Sequence, residues 1–180
     1  MAPRIDRPRN QEDWACIREI CCDTAARPIP PADRSAFGRR WIGPYERWAP
    51  EWAYAAREGE AVVGYLTGCR STAAFLLKTG LFGPRVPLGA NVRFSKPFLL
   101  RLLLDYPAHL HVNVREGHRG GTGRALIERF EADVKASGAC GVHVFCGARP
   151  RGFYEKLGYA VLADRKEGEA TIYALGKRLR

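Results

Sequence analysis

The sequence predicts an α/β fold, and three consecutive features predict it: a strand, a glycine loop that opens a helix, and a second strand. Residues 109–114 (HLHVNV) place Leu110, Val112 and Val114 on one face and His109, His111 and Asn113 on the other, the two-residue period of a strand. A glycine loop follows at 117–123. The next helix covers about 122–137, with Ala125, Leu126, Ile127, Phe130 and Val134 as its buried stripe, and Gly138 stops it. Residues 141–145 then read as a strand. Strand, turn, helix and strand in this order make a βαβ-like unit.

The remaining elements are placed around that unit. Residues 3–7 form a short first strand. Asn10 caps a helix that runs to about Thr24, with Glu12 and Asp13 in its first turn and Trp14, Ile17 and Cys21 at helical spacing. Pro28, Pro30 and Pro31 break the chain. A shorter second helix covers 32–41. Trp41, Tyr45, Trp48 and Trp52 follow, a cluster that reads as core or lid packing. Residues 52–57 and 61–69 are two strands joined by a turn at Gly59. Segment 70–104 does not read regularly, apart from a helix over 96–104. Near the C-terminus, 153–157 is a short helix closed by Gly158, and 159–162 pairs with 171–175 as a final hairpin.

A chain of 180 residues suits one domain covering 1–180, within which 70–104 is a variable basic and apolar insertion between the third and fourth strands. No apolar run is long enough to span a membrane, and the polar start carries no apolar signal core; both point to the cytoplasm. The six cysteines show no C-x-x-C spacing. They are expected as reduced, mostly buried thiols rather than a disulfide framework or a zinc site, since His143 and Cys146 would supply only half of one. No metal is expected. The formal net charge of +10 attracts polyanions. No zinc finger, basic zipper or aromatic RNA motif accompanies it, so nucleic acid ranks behind a polyanionic cofactor.

The glycine loop shows which polyanion fits. A helix N-terminus presents unpaired backbone N–H groups and partial positive charge, and phosphate binds there without special side chains. Gly120, Gly121 and Gly123 remove the Cβ atoms that would hold a pyrophosphate off, while Arg119 and Arg124 add charge. A lone loop of this kind could equally be a tight turn that packs strand on helix.

The wider context decides between the two. His118-Arg119-Gly120-Gly121-Thr122-Gly123-Arg124 resembles the acetyl-CoA loop of the GNAT superfamily, in which Gln or Arg precedes x-x-G-x-G/A and a helix. Gly121 and Gly123 match the two small positions; His118 replaces the usual first residue, with Arg119 beside it. Further along, FYEKLGY (153–159) resembles the second recurring GNAT segment. Together with YPAHLHVNV, GVHVFC and VVGYLTGC, the chain resembles bacterial acetyltransferases related to the C-terminal domain of O-GlcNAcase. The likeness covers about 52–69 and 105–162.

The resemblance implies a mixed, mostly antiparallel sheet of about seven strands flanked by helices. The fourth and fifth strands splay, and acetyl-CoA lies in the gap. It implies direct transfer of acetyl to an amine, without an acyl-enzyme. Backbone groups of Val112, Asn113 and Val114 would hold the pantetheine arm, and His118, Arg119, Gly120, Gly121, Thr122, Gly123 and Arg124 the phosphates. Tyr154 stands where the family places a tyrosine that protonates the leaving thiolate. Gly147 and Pro150 stand where members often carry Asn and Ala. His109 is the base candidate, since histidine titrates near neutrality; serotonin N-acetyltransferase also has a His-Leu-His strand, and only His109 coincides with one of its two histidines. Asp105 and Glu116 are the weaker alternatives, and a structural role for His109 is the competing reading.

Two other functions stay open at this level: a GNAT fold that binds acyl-CoA without turnover, and a basic protein that binds nucleic acid or a membrane surface. The acceptor is an amine of unknown identity. The cations of 70–104 (Arg70, Lys78, Arg85, Arg93, Lys96, Arg101), with no acid among them, suggest a lid over the acceptor that favours an anionic one; membrane contact is the rival for the same segment. The resemblance also leaves room for a homodimer.

Overall fold

The computed structural model describes residues 3–82 and 94–179. Seven strands form one sheet: β1 (Arg4–Asp6), β2 (Ala53–Glu58), β3 (Ala61–Cys69), β4 (Ala108–Val114), β5 (Gly141–Gly147), β6 (Ala160–Glu167) and β7 (Ala170–Arg178). Their order is β1-β2-β3-β4-β5-β7-β6, and every neighbouring pair is antiparallel except β4–β5. Six helices accompany them: α1 (Gln11–Asp23), α2 (Pro31–Trp48), α3 (Thr72–Phe82), α4 (Lys96–Asp105), α5 (Thr122–Ala136) and α6 (Ala148–Glu155). The α/β class and the strand count agree with the sequence. Among the described residues, no helix is long and apolar enough to cross a membrane.

Each face of the sheet is covered for a reason visible in the residues. On one face Leu126, Ile127, Phe130 and Val134 of α5 pack against Tyr54, Leu66 and Leu110, and the same core continues to Val142, Val144, Tyr154 and Leu175. Phe130 crosses at Gly68, where a Cβ would come within 2.8 Å of its ring. On the other face Trp14, Ile17, Ile20 and Cys21 of α1 and Ile42 of α2 cover Ala53, Ala55, Val62 and Tyr65. The Asn10 side chain accepts from the Asp13 N–H at 3.0 Å, the expected N-cap. Gly59 turns β2 into β3 at φ +60°.

Four parts of the chain differ from the sequence reading. The second helix does not stop near Trp41; it runs to Trp48 with Pro44 inside it. Pro44, Ile42 and Tyr45 are buried, and that packing outweighs the interruption a proline normally causes. Segment 70–104, read as irregular before 96, contains α3. Its buried positions include Thr72, Phe75 and Thr79 while Leu77 is 64% exposed; apolar periodicity fails where threonines take the inner face. Thr79 satisfies its hydroxyl locally, donating to the Phe75 carbonyl at 2.9 Å. Helix α6 starts at Ala148, five residues before the expected 153, and the closing hairpin is about twice the expected length.

One buried ion cluster ties the N-terminal half together. Arg57 of β2 is 4% exposed. Its guanidinium donates to Asp13 of α1, to Asp6 of β1 at 3.0 Å and to the Glu60 carbonyl at 3.1 Å. Asp13 also accepts from the Arg9 N–H at 2.6 Å. Removing one partner of a buried pair strands the other charge. We therefore expect Asp13→Ala to cost about 3 kcal/mol or more in urea unfolding; a loss below about 1 kcal/mol would mean that solvent already screens the pair.

Candidate active site

Strands β4 and β5 pair at only two residue pairs, Ala108–Val142 and His109–His143. Beyond them the strands part. β4 stays paired with β3 as far as Val114, and β5 stays paired with β7 as far as Gly147. The β5-facing edge of 110–114 therefore has no strand partner, and Val112, Asn113 and Val114 border the gap with backbone groups free on that side.

The chain leaving Val114 forms the glycine loop. Gly117 and Gly121 take φ of +84° and +92°, a conformation that side chains other than glycine adopt with strain. Gly121 is the N-cap of α5, and no side chain caps that end. The Thr122 hydroxyl donates back to the His118 carbonyl at 2.6 Å, which closes the loop. Gly123 lies where a Cβ would come within 3.2 Å of the Phe153 ring, so the loop and the second motif touch. His118 Nδ1 is 3.0 Å from Glu58 Oε2, Arg124 pairs with Glu128 at 3.2 Å, and Arg119 is exposed.

At the closed end, three rings meet. His109 is buried and both its nitrogens are engaged. Nε2 is 2.8 Å from the Tyr45 hydroxyl, and Nδ1 is 2.7 Å from Thr72 Oγ1 and 3.2 Å from Cys69 Sγ. Thr72 donates its proton to the Pro107 carbonyl at 2.9 Å, so it accepts from His109 Nδ1–H, and Tyr45 in turn donates to Nε2. This fixes a neutral tautomer. Burial holds His109 well below the usual histidine range, with His143 adding to the effect. His111, one turn of the pleat further on, sits 3.3 Å from the Tyr65 hydroxyl and 3.3 Å from Asn113 Nδ2, and burial lowers it to about 4. His143 donates Nδ1–H to the Tyr106 carbonyl at 2.6 Å and is likewise lowered to about 4.

Tyr154 lies in the core on the α5 side, edge-on to Tyr159 at 5.6 Å. Burial raises its phenol above the usual tyrosine value, so it stays protonated. No hydrogen bond among the described residues engages its hydroxyl. Burial also pushes Cys69 up to about 12 and Cys21 and Cys146 to about 11; these three are thiols, not thiolates, at neutral pH. Among the described residues, no group of three or more His, Cys, Asp or Glu is placed to hold a metal ion.

No family model matches the chain. Solved structures do. SsHAT is 27% identical over the whole of both chains, with a TM-score of 0.75. An acetyltransferase assigned to the GNAT family from Desulfovibrio desulfuricans is 16% identical over 99% of this chain and 100% of its own, TM-score 0.66. The Salmonella typhimurium yncA structure, which holds its cofactor acetyl-CoA, is 18% identical over 100% and 95%, TM-score 0.59.

The chain has the GNAT fold. The splayed fourth and fifth strands and the loop at the head of α5 are the parts of that fold which the sequence motifs anticipated. The polar network behind them was not anticipated. The sequence places Tyr45 in a tryptophan cluster and Thr72 in an irregular segment, and offers His143 only as half of a metal site. The one available signal was that His143 alternates with Val142 and Val144 as His109 does with Ala108 and Leu110. The expected cations of 70–104 are dispersed. Arg70 and Lys78 line a cavity of about 320 Å³ with Trp48, Glu51 and Trp52, and Arg101 lies 3.5 Å from Asp105. Arg85 and Arg93 lie outside the described residues. Lys96 opens α4, close in sequence to Phe94, which stacks on Phe145 of β5 at 5.6 Å.

The buried histidines make stability depend on pH. Their folded values lie below the unfolded value of about 6.5, so between the two the unfolded chain binds more protons. Stability is complete above about pH 6.5 and falls as pH drops toward 4. For His143 alone the shift corresponds to about 3 kcal/mol. Urea unfolding at pH 7 and pH 5 checks this, and equal stability at the two values would show that the rings are hydrated.

Proposed function

We propose that the protein is an acetyl-CoA-dependent N-acetyltransferase that moves acetyl directly to an amine. The observation that carries this reading is the uncapped, glycine-rich N-terminus of α5 at the end of a strand whose inner edge is unpaired. In this reading acetyl-CoA is the cosubstrate. Its phosphates meet the N–H groups and positive helix end at His118, Arg119, Gly120, Gly121, Thr122, Gly123 and Arg124. Its pantetheine arm completes the open edge of Val112, Asn113 and Val114, as a strand would. The yncA structure with acetyl-CoA supports it, as does the NatC complex solved with a Gag peptide and CoA (14% identical, TM-score 0.62).

The residues divide the work. Tyr154, neutral and without a protein partner for its hydroxyl, protonates the departing thiolate. His109, with both nitrogens occupied, holds Tyr45 and Thr72 at the closed end; it serves as a base only if Tyr45 releases Nε2. With its thiols protonated, the core offers no ready nucleophile for an acyl-enzyme, in keeping with direct attack. The cations of 70–104 favour a negatively charged amine as the acceptor; the whole chain, 70–104 included, works as one domain in the cytoplasm.

Thermal shift with acetyl-CoA and thiol release across a panel of neutral and anionic amines test the reading together. Stabilisation without thiol release would favour a binding module. Gly121→Glu sets a strained, negatively charged side chain at the phosphates, and we expect CoA binding to fall at least a hundredfold by calorimetry. Wild-type affinity in that variant would move the site elsewhere. Tyr154→Phe is expected to lower kcat by on the order of a hundredfold with CoA affinity nearly unchanged; an unaltered rate would make Tyr154 a packing residue.

A further inference from the structure

Three buried histidines border the closed end of the gap, and they are not equivalent. His109 has a partner on each nitrogen, and His111 lies between Tyr65 and Asn113. His143 has one partner only. Its Nδ1–H is spent on the Tyr106 carbonyl, which leaves the lone pair on Nε2. Among the described residues nothing donates to that nitrogen. The residue as a whole is 1% exposed, so the Nε2 lone pair is buried and has no partner among the described residues.

Position supplies the second argument. His143 faces His109 in the last pair before the strands part, with ring centres 5.9 Å apart. From Val114 back to His109 the strand runs about 17 Å, comparable with an extended pantetheine arm. A cofactor with its phosphates on the loop thus brings its thioester to these two rings. Phe145, edge-on to His143 at 5.6 Å, and Phe94 stacked on Phe145 wall off the side toward α4. The ring is held at Nδ1 and has no described partner at Nε2.

We propose that His143 Nε2 is the group that takes the proton from the acceptor amine; the proposal rests on the acetyltransferase reading above. As the amine nitrogen forms its bond to the thioester carbonyl carbon it becomes more acidic than a free ammonium ion, and its proton passes to Nε2. The C–S bond then breaks with its electron pair on sulfur, which takes the Tyr154 proton. The imidazolium gives its proton to solvent and Tyr154 regains one. The balance is amine plus thioester to amide plus thiol. The ring stays unprotonated at neutral pH, so its lone pair is available to the adduct, which is a stronger acid than a free ammonium ion.

The test uses His143→Asn, whose amide can keep the bond to the Tyr106 carbonyl. We expect kcat for the best amine of the panel to fall about a hundredfold, with acetyl-CoA affinity within about twofold. Long-range ¹⁵N spectra of the wild type at pH 7 should show His143 with a bare Nε2, and its resonance should move when CoA and the panel amines are added. A folded variant that keeps wild-type kcat overturns the proposal, and so does a protonated Nε2 in the free protein. If no panel amine is acetylated, the spectra decide: a bare Nε2 that shifts supports the proposal, and one that does not shift overturns it. Failure of the wild type to bind acetyl-CoA is a different result, since it removes the acetyltransferase reading and this inference with it.

Discussion

Two residue pairs join four strands to three. Ala108–Val142 and His109–His143 are the whole of the β4–β5 ladder, and the rest of the structure depends on that arrangement holding. Unpaired backbone inside a protein is costly, so two half-open strands need support from elsewhere. Their outer edges give it: β4 is fully zipped to β3 and β5 to β7. The core under α5 gives the rest, because it runs without interruption from Tyr54 and Leu66 to Val144 and Leu175. The gap is thus braced from both sides and from below.

The closed end of the gap is polar but uncharged. His109, His111 and His143 are all held neutral by burial, and their partners are hydroxyls, a thiol, an amide and a carbonyl. Fixed tautomers follow where the partner is a carbonyl or a hydroxyl already committed to one. The charge lies outside: the cations of the loop stand at the open end, and the Arg57 cluster lies beneath α1. Such a division suits a polyanionic ligand with a neutral reactive end. On the proposed reading, phosphates would meet the helix N-terminus and arginines, while the thioester would meet oriented dipoles.

What the sequence revealed was local. The β4 alternation, the glycine loop, the stripe of α5 and the FYEKLGY segment are each contained within one element or one junction, and each was found close to where it lies. What it hid was long-range. The Tyr45 and Thr72 partners of His109 stand 64 and 37 residues away in the chain, and no periodicity connects them. Helix α3 escaped because its buried side includes two threonines, and α2 was cut short because a proline inside a helix usually ends it. The histidine chosen from the sequence was the one beside the best motif, and that ring proved to be the one most fully engaged by its neighbours.

The two sides of the sheet also separate the two proposed proton transfers. Tyr154 belongs to the α5-side core with Leu126 and Val144. His143 shares a face with His109, whose ring meets Tyr45 of α2 and Phe75 of α3. A proton acceptor and a proton donor at one reaction centre tend to neutralise each other by direct exchange. Placed on opposite faces of a splayed sheet, they reach each other only through whatever occupies the gap. On the proposed reading, the amine side of the reaction meets His143 and the sulfur side meets Tyr154, and the acyl carbon lies between. The parting of two strands would then serve chemistry twice, once by exposing a backbone edge to the cofactor and once by keeping acid and base apart.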